Sequence, residues 1–374
     1  MYVLETPFPF TPEDRRYMAL AFRLAKRGAG YTSPNPMVGA VVVKDGRMVG
    51  QGWHRRYGGP HAEVEALQRA GEQARGATLY VTLEPCNHHG KTPPCTAAVL
   101  AAGISRVVIA NADPNPRVAG GGAAYLRAQG LQVEMGLLAE VGQKLNEAFF
   151  KAVTTGRPWV IAKAAASLDG KTATHTNDSQ WITGPAARAW VHRLRHQVDA
   201  ILVGVGTVIA DNPQLTTRLP KRRGKDPVRL ILDSRLRLPL AAQVLHLQSA
   251  APTWIACTDA APAEKRAALQ DLGAEILVLP ARDGKVDLEA LLNVLGQRRL
   301  QSLLVEGGAE VHGAFFDAHL IDKLHLLLAP KIIGGRQAPG ILGGQGITHL
   351  ASAPLVRDMT IRRLGPDLLI SGYL

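Results

Sequence analysis

Hydrophobic positions along the chain recur with two periods, about 3.6 and 2 residues, and the changes of period mark its elements. Thr11 is placed to cap a helix that begins at Pro12, runs through RRYMALAFRLAKRG and ends at Gly28 or Gly30. After the loop YTSPNP, the stretch MVGAVVVKDGRMVGQGW holds two alternating apolar runs split by Asp45-Gly46, a hairpin signal. Pro60 suits the first turn of a helix continued by AEVEALQRA, in which Val64, Leu67 and Ala70 share a face. ATLYVTL, residues 77 to 83, reads as a buried strand, and Pro93-Pro94 precede a helix, CTAAVLAAG, closed by Gly103. RVVIAN is a further strand, ADPNPRVAGGG a loop, YLRAQG a short helix and LQVEMGL a strand. A helix from Ala139 to about Val153 completes this half. Strands and helices mixed in this order predict a three-layer α/β sandwich.

TTGRP, residues 154 to 158, is a short turn-rich connection and sets the expected boundary, with domains at 11–153 and 158–374. At 374 residues, two domains are expected on length alone. The second half offers WVIAKAAAS, DAILVGVGT, VRLILDS, TWIACT, EILVLP, SLLVEGG and KLHLLLAPKII as strands with helices between them. It predicts α/β again with a mostly parallel sheet. The chain carries no internal repeat and no low-complexity tract.

Composition narrows the class. An apolar content of 46% and a charged content of 20% are ordinary for a soluble globular protein. The N-terminal stretch MYVLETPFPFTPEDRR has no basic region leading into an apolar core, and no stretch approaches the length of a membrane span, so a cytoplasmic protein without membrane partners is expected. Three cysteines make no disulfide framework, which fits a reducing compartment, and Cys257 in TWIACT reads as a small core hydrophobe. The net charge of +12 admits nucleic acid, anionic membranes or phosphorylated small molecules as partners. Its sharpest cluster, Arg218, Lys221, Arg222, Arg223 and Lys225, lies in a loop without interleaved aromatics. It reads mostly as solvated charge, with phosphate recognition open for Arg218. Aromatic residues at 5% disfavour a base-stacking surface, so no nucleic-acid partner is expected.

The chemistry concentrates between Pro60 and Cys95. His61 and Glu63 form a His-x-Glu pair, Pro85-Cys86 follows the LYVTL strand, and Cys95 comes nine positions after Cys86. One imidazole and two thiolates make a three-ligand zinc set with a fourth position open, the pattern of a catalytic site. Both His61 and Cys95 fall near helix N-termini, where the helix dipole favours a thiolate. Zinc deaminases use this set: the metal activates a water while a non-ligating Glu moves protons as an exocyclic amine leaves. His88 and His89 are rival ligands, but in their Gly- and Pro-rich loop they read as substrate-facing or exposed. The alternative of a buried histidine beside two inert core cysteines leaves Glu63 unexplained.

The usual deaminase spacing is Pro-Cys-x-x-Cys, whereas CNHHGKTPPC puts eight residues between the cysteines. That departure resembles the bifunctional riboflavin-biosynthesis deaminase/reductase family. PNPMVGAVVV, ADPNPRVAGGG, SLDGKTA, SQWITGPAAR, TVIADNPQLTTR and VEGGAEVHGAF match the same family in collinear order over nearly the whole chain.

The resemblance implies a cytidine-deaminase-like sandwich followed by a dihydrofolate-reductase-like α/β domain. It implies one zinc per chain and NADPH as cofactors, and a homo-oligomer, dimer or tetramer. The activities implied are hydrolytic deamination of 2,5-diamino-6-(5-phosphoribosylamino)pyrimidin-4(3H)-one and then reduction of the ribosyl chain of the resulting aminouracil to ribityl. The substrate partner is thus a small phosphorylated pyrimidine. Carried over residue by residue, Ala165, Trp181, Thr207 and Asp211 meet the cofactor, as does the run Gly308, Ala309, Glu310, Val311, His312, Gly313 and Ala314. Ser179, Arg195, Leu215, Arg218 and Glu306 meet the substrate of the reduction. Arg195 and Arg218 suit a 5′-phosphate, and Glu306 suits ribose hydroxyls or a pyrimidine amine. Asn35, His54, Lys91 and Asn115 occupy motif positions near the deaminase pocket.

Read without the resemblance, the second half is less distinctive. Gly204-Val205-Gly206 lacks the third glycine of a dinucleotide fingerprint, and Glu306-Gly307-Gly308 before a helix is also a common turn. Arg195 then reads as a helix-surface ion pair and Trp181 as a core aromatic. Asn35 and Asn115 read as Asx-turn formers, and Lys163 and Asp169 as either charge-steering or structural. Two rivals follow. One is a tRNA-editing deaminase with an RNA-binding appendage, favoured by the charge and opposed by the cysteine spacing. The other is a scaffold holding structural zinc, opposed by the intact Glu63.

Overall fold

The structure, a computed structural model, describes residues 10–89, 93–115, 121–220 and 224–374. Lys91 and the cationic positions Lys221, Arg222 and Arg223 lie outside the described residues. Contacts divide the chain into two compact units, Met1–Gly156 and Arg157–Leu374.

The first unit runs α1 (Pro12–Ala25), β1 (Gly39–Lys44), β2 (Arg47–Trp53), α2 (Ala62–Ala70), β3 (Thr78–Leu83), α3 (Cys95–Ala101) and β4 (Arg106–Asn111). It continues with α4 (Gly121–Ala128), β5 (Gln132–Met135), α5 (Ala139–Leu145) and α6 (Glu147–Thr155). Its sheet has the order β2-β1-β3-β4-β5; β1 pairs antiparallel with β2 and β3, and β3, β4 and β5 are parallel. Strand alternation explains the three layers. Val41, Val43, Tyr80 and Val108 point to the face covered by Tyr17, Met18, Ala21 and Phe22 of α1. Ala40, Val42, Leu79, Val81 and Ile109 point to the other, under Ala66 and Leu67 of α2, Val99 of α3 and Leu126 of α4. Truncating one of these, for example Ile109→Ala, costs about 2–5 kcal/mol.

Helix α2 lies so close to β2 that a Cβ at Gly50 would sit within 3 Å of Ala66 O, and one at Gly52 within 3 Å of Ala62 O. Those two glycines let the helix that carries Glu63 rest directly on the sheet. Helix α1 is fixed at its start by a capping box between Thr11 and Asp14. Asp14 also accepts from Tyr80 Oη and Arg106 Nη1, both at 2.7 Å, and Arg106 Nη2 lies 2.6 Å from Glu134, which ties α1 to β3, β4 and β5.

The second unit runs β6 (Trp159–Ser167), α7 (Pro185–Gln197), β7 (Ala200–Gly204), α8 (Val205–Asp211), β8 (Val228–Leu232), β9 (Thr253–Cys257), α9 (Ala263–Asp271) and β10 (Glu275–Val278). It continues with β11 (Ala281–Arg282), β12 (Lys285–Val286), α10 (Leu288–Gln297), β13 (Ser302–Gly307), α11 (Ala309–Asp317), β14 (Lys323–Ala329), β15 (Arg357–Leu364) and β16 (Asp367–Tyr373). Its large sheet has nine strands among the described residues, in the order β10-β9-β8-β7-β13-β6-β14-β16-β15. From β10 to β14 every pairing is parallel; β16 and β15 add an antiparallel hairpin at one edge.

Several elements differ from the sequence-based expectation. The helix expected over 139 to about 153 breaks at Asn146 (φ −114°, ψ 27°), whose side chain accepts from Met37 N at 2.8 Å and donates to Met37 O at 2.9 Å. The amide is drawn off the helix to hold the PNPM loop. Pro60 stands one residue before the N-cap His61, so α2 starts at Ala62. The GVGT run turns helical at Val205, and the strand expected through KII ends at Ala329. The β15–β16 hairpin has no counterpart in the sequence reading, because RDMTIRRL is exposed along nearly its whole length and shows no apolar alternation.

Candidate active sites

The first site is built where two helices of the first unit begin. His61 is the N-cap of α2, in extended backbone (φ −76°, ψ 163°), and Glu63 is the second residue of that helix. Cys86 lies in the loop after β3, and Cys95 is the first residue of α3, set by the N-cap Pro94. The loop between the cysteines is closed at its ends, by Thr96 N donating to Cys86 O at 3.2 Å and Thr96 Oγ1 to Asn87 Oδ1 at 2.7 Å.

His61 Nδ1 is 3.2 Å from Cys95 Sγ and 3.6 Å from Cys86 Sγ, and the three ligand atoms all lie within 4.8 Å of one another. Zinc bonds of ~2.1 Å to nitrogen and ~2.3 Å to sulfur place tetrahedral N and S ligands about 3.5 Å apart, so the triangle already has the size of a zinc site. The hydrogen bond from Cys95 and the nearby His61 draw the Cys86 thiol down, while the neighbouring Cys86 and burial push Cys95 up. Among the described residues this is the group of histidine, cysteine and acidic side chains that can hold a metal. His89 is exposed, and His88 lines the neighbouring cavity outside the triangle.

That cavity, about 270 Å³, is lined by His61, Glu63, Cys86, Asn35, His54 and Asn115 among others. Glu63 is buried, and burial pushes its carboxyl up. It stands outside the ligand triangle and opens on the same space, the position of a proton carrier.

Sequence reasoning missed Glu84. Buried at the end of β3, it accepts from Asp113 N at 3.2 Å and Ala123 N at 2.8 Å, and so holds the loop that carries Asn115 against the zinc-ligand loop. Its place before Pro85-Cys86 is the one signal that could have found it. The Asx turn in that loop is made by Asp113, whose Oδ1 accepts from Asn115 N at 2.9 Å.

The second site is a cavity of about 960 Å³ in the second unit. Ala165, Ser179, Trp181, Arg195, Thr207 and Asp211 line it, as do Leu215, Arg218, Glu306 and the run from Gly308 to His312. Gly313 and Ala314 do not. A Cβ at Gly313 would lie within 3 Å of the Gly343 backbone, so this turn of α11 faces away from the cavity.

Glu306, the second-last residue of β13 with its side chain 5% exposed, takes both ends of the Arg195 fork at 2.8 Å and lies 3.2 Å from Lys163 Nζ. Burial alone would raise this carboxyl, but the two cations outweigh it and hold it well below the usual range. Arg195 also donates to Thr216 O at 3.1 Å and its side chain is 13% exposed, so it is an inward-facing partner of Glu306 and not a helix-surface pair. Arg218 keeps an exposed guanidinium, while its N–H donates to His192 Nδ1 at 3.3 Å. Trp181 is 59% exposed with Arg188 above its ring at 4.8 Å, which excludes a core aromatic. Gly308 is the N-cap of α11, and its N–H donates to Thr207 Oγ1 at 3.1 Å. Gly204, Gly206, Gly307 and Gly308 bring bare backbone to the cavity beside that helix start, a surface suited to a pyrophosphate. Ser179 Oγ donates to Asp211 Oδ1 at 3.2 Å. Asp169 faces another way: it accepts from Ser167, Ile333 and Gly334 and fastens the loops after β6 and β14. Cys257 is buried in β9, as a small core residue should be.

A His-Cys-Cys triangle of metal-site size beside a glutamate in one unit, and a large cavity in the other, fit a two-part deaminase and reductase. Residues 11–111 match the cytidine and deoxycytidylate deaminase zinc-binding region, and residues 158–370 match the RibD C-terminal domain. The riboflavin biosynthesis protein RibD of Bacillus amyloliquefaciens is 47% identical over 96% of this chain and 96% of its own. The solved structure of Acinetobacter baumannii RibD superimposes with a TM-score of 0.87 at 40% identity, covering 96% of this chain and 98% of that one. A diaminohydroxyphosphoribosylaminopyrimidine deaminase/5-amino-6-(5-phosphoribosylamino)uracil reductase from Thermotoga maritima gives 0.85 at 38% identity, covering 96% and 98%. The chain belongs to the RibD family of bifunctional riboflavin-biosynthesis enzymes, with a zinc-dependent deaminase half and an NADPH-dependent reductase half.

Proposed function

We propose that residues 11–153 deaminate 2,5-diamino-6-(5-phosphoribosylamino)pyrimidin-4(3H)-one and that residues 158–374 then reduce the ribosyl chain of 5-amino-6-(5-phosphoribosylamino)uracil to ribityl. His61, Cys86 and Cys95 hold one zinc, which when bound supplies Lewis-acid activation of the attacking water. Glu63 takes the water's proton and returns protons to the ring nitrogen and to the departing ammonia. Asn35 and Asn115 meet the substrate from the cavity wall, His54 stands behind Asn35 in the same lining, and Lys91 is read as meeting the substrate's phosphate. The observation that carries this half is the ligand triangle opening, beside a buried non-ligating glutamate, on a cavity lined by amide side chains.

In the reductase half, NADPH when bound supplies hydride. The start of α11 from Gly308 onward holds its pyrophosphate, with Thr207, Asp211, Trp181 and Ala165 around it. Gly313 and Ala314 contribute through the helix and not through cavity contacts. Glu306, kept ionised by Arg195 and Lys163, accepts from the substrate's hydroxyl or amine donors, and Ser179 and Leu215 border it. Arg218 meets the 5′-phosphate, and Arg195 acts mainly through Glu306.

No helix among the described residues is long and apolar enough to cross a membrane, which supports a cytoplasmic enzyme acting on a soluble phosphorylated pyrimidine. A homo-oligomer, dimer or tetramer, is supported by the edge strand β15, which exposes Met359 and Ile361. The direct experiment supplies the diaminopyrimidine phosphate with and without NADPH. Ammonia release without NADPH, and a ribityl product only with it, is the expected result. A ribityl product that still carries the amine would overturn the order of steps.

A further inference from the structure

His54 follows β2 directly and is buried, with 2% of its surface exposed. Its Nδ1 lies 2.9 Å from Pro60 O, and its Nε2 lies 3.1 Å from the Asn35 amide nitrogen. A carbonyl oxygen has no hydrogen to give, so Nδ1 carries the ring proton. Nε2 therefore offers a lone pair, and only the NH₂ side of the Asn35 amide can face it. The orientation of Asn35 thus follows from the chemistry of its neighbour. Asn35 lines the deaminase cavity, and among the described residues nothing donates to its Oδ1.

We propose that His54 is a positioning residue: it turns the Asn35 amide so that the carbonyl oxygen, not the NH₂, is presented to the substrate. The wall at Asn35 is then an acceptor. It takes an N–H donor of the pyrimidine, an amine or a ring N–H, and rejects an edge that offers only a carbonyl or a bare ring nitrogen. With both ring nitrogens engaged inside the protein, His54 itself makes no hydrogen bond to substrate. This inference rests on the deaminase reading above.

The competing account is that His54 only braces Pro60, the residue before the ligand His61. A double-mutant cycle separates the two. His54→Phe keeps the ring that packs edge-on against His61 at 5.3 Å but has neither nitrogen. His54→Gln restores an acceptor toward Asn35. Zinc content and kcat/KM for ammonia release are measured for His54→Phe, Asn35→Ala, the double variant and His54→Gln. Each of the first two singles is expected to lose about tenfold, the worth of one hydrogen bond. The double variant should lose no more than Asn35→Ala alone, and His54→Gln should stay within about threefold of the unmodified enzyme. Losses that multiply in the double variant, with zinc retained, overturn the assignment. Should His54→Phe shed zinc, His54→Gln decides: a loss as large as that of Asn35→Ala, in a zinc-loaded protein, overturns it equally. Failure of the unmodified zinc-loaded enzyme to release ammonia would instead overturn the deaminase reading itself.

Discussion

His61 Nδ1 and Cys95 Sγ stand 3.2 Å apart, although 34 residues separate them in sequence. Each is placed by the start of a helix, His61 as the N-cap of α2 and Cys95 as the first residue of α3, and both helices lie on the same face of the sheet. Cys86 joins them from the end of β3. The site is thus anchored on regular elements, and the long loop between the cysteines only has to close.

On the proposed assignment, replacing either cysteine removes one of the three ligands. Cys86→Ser and Cys95→Ser should each lose zinc and deamination, as metal analysis and ammonia release will show. His89→Ala should keep its zinc, since that side chain is exposed outside the triangle. Full zinc occupancy in both serine variants would sink the ligand assignment.

Arg195→Ala strands Glu306 as a buried carboxylate with only Lys163 beside it. Breaking a buried pair by removing one partner costs about 3–5 kcal/mol, so thermal unfolding of the second unit should move down. Reduction should fall at least about tenfold, the worth of a single hydrogen bond in transition-state binding, while ammonia release is unchanged. A variant that melts and reduces like the parent would show that the Arg195–Glu306 pair is idle.

Asp14 supplies the acid-sensitive contact of the first unit. Burial alone would raise it, but hydrogen bonds from Arg106, Tyr80 and Thr11 outweigh burial and hold it well below the usual carboxylate range. A depressed folded pKa contributes stability that is fully present above the unfolded value, ~3.9. That stability is lost as pH falls from there toward the folded value. Asp14→Asn should therefore destabilise the first unit at neutral pH by about 1–3 kcal/mol and flatten its stability between about pH 4 and pH 2. Denaturant unfolding at pH 7 and pH 3 checks this; an unchanged pH slope would contradict it.

Much of this was legible in the sequence because local chemistry decides it. Prolines at 85 and 94 set the cysteine positions, and Asp45-Gly46 made the β1–β2 hairpin plain. What was not legible depends on long-range partners. Nothing near Arg195 indicates that its fork is taken by Glu306, 111 residues away, and nothing near Asn146 indicates that Met37 draws its amide off the helix. The β15–β16 hairpin was missed because an edge strand with both faces exposed leaves no hydrophobic period to read. Glu84 was passed over because a carboxylate in a strand run carries no sign of the backbone amides it will collect.

The central claim is that two chemistries sit in two separate sites, and a two-by-two assay tests it most directly. Glu63→Gln keeps the side chain's size but cannot take up a proton. Arg218→Ala removes an exposed cation at the reductase cavity. Each is assayed for ammonia release from the diaminopyrimidine phosphate and for NADPH oxidation with the pre-deaminated substrate. Glu63→Gln should keep its zinc, lose at least about a hundredfold in deamination and reduce normally. Arg218→Ala should deaminate normally and show its loss in reduction mainly as a raised KM. If each folded, zinc-loaded variant lost both activities to the same extent, the two-site account would be wrong.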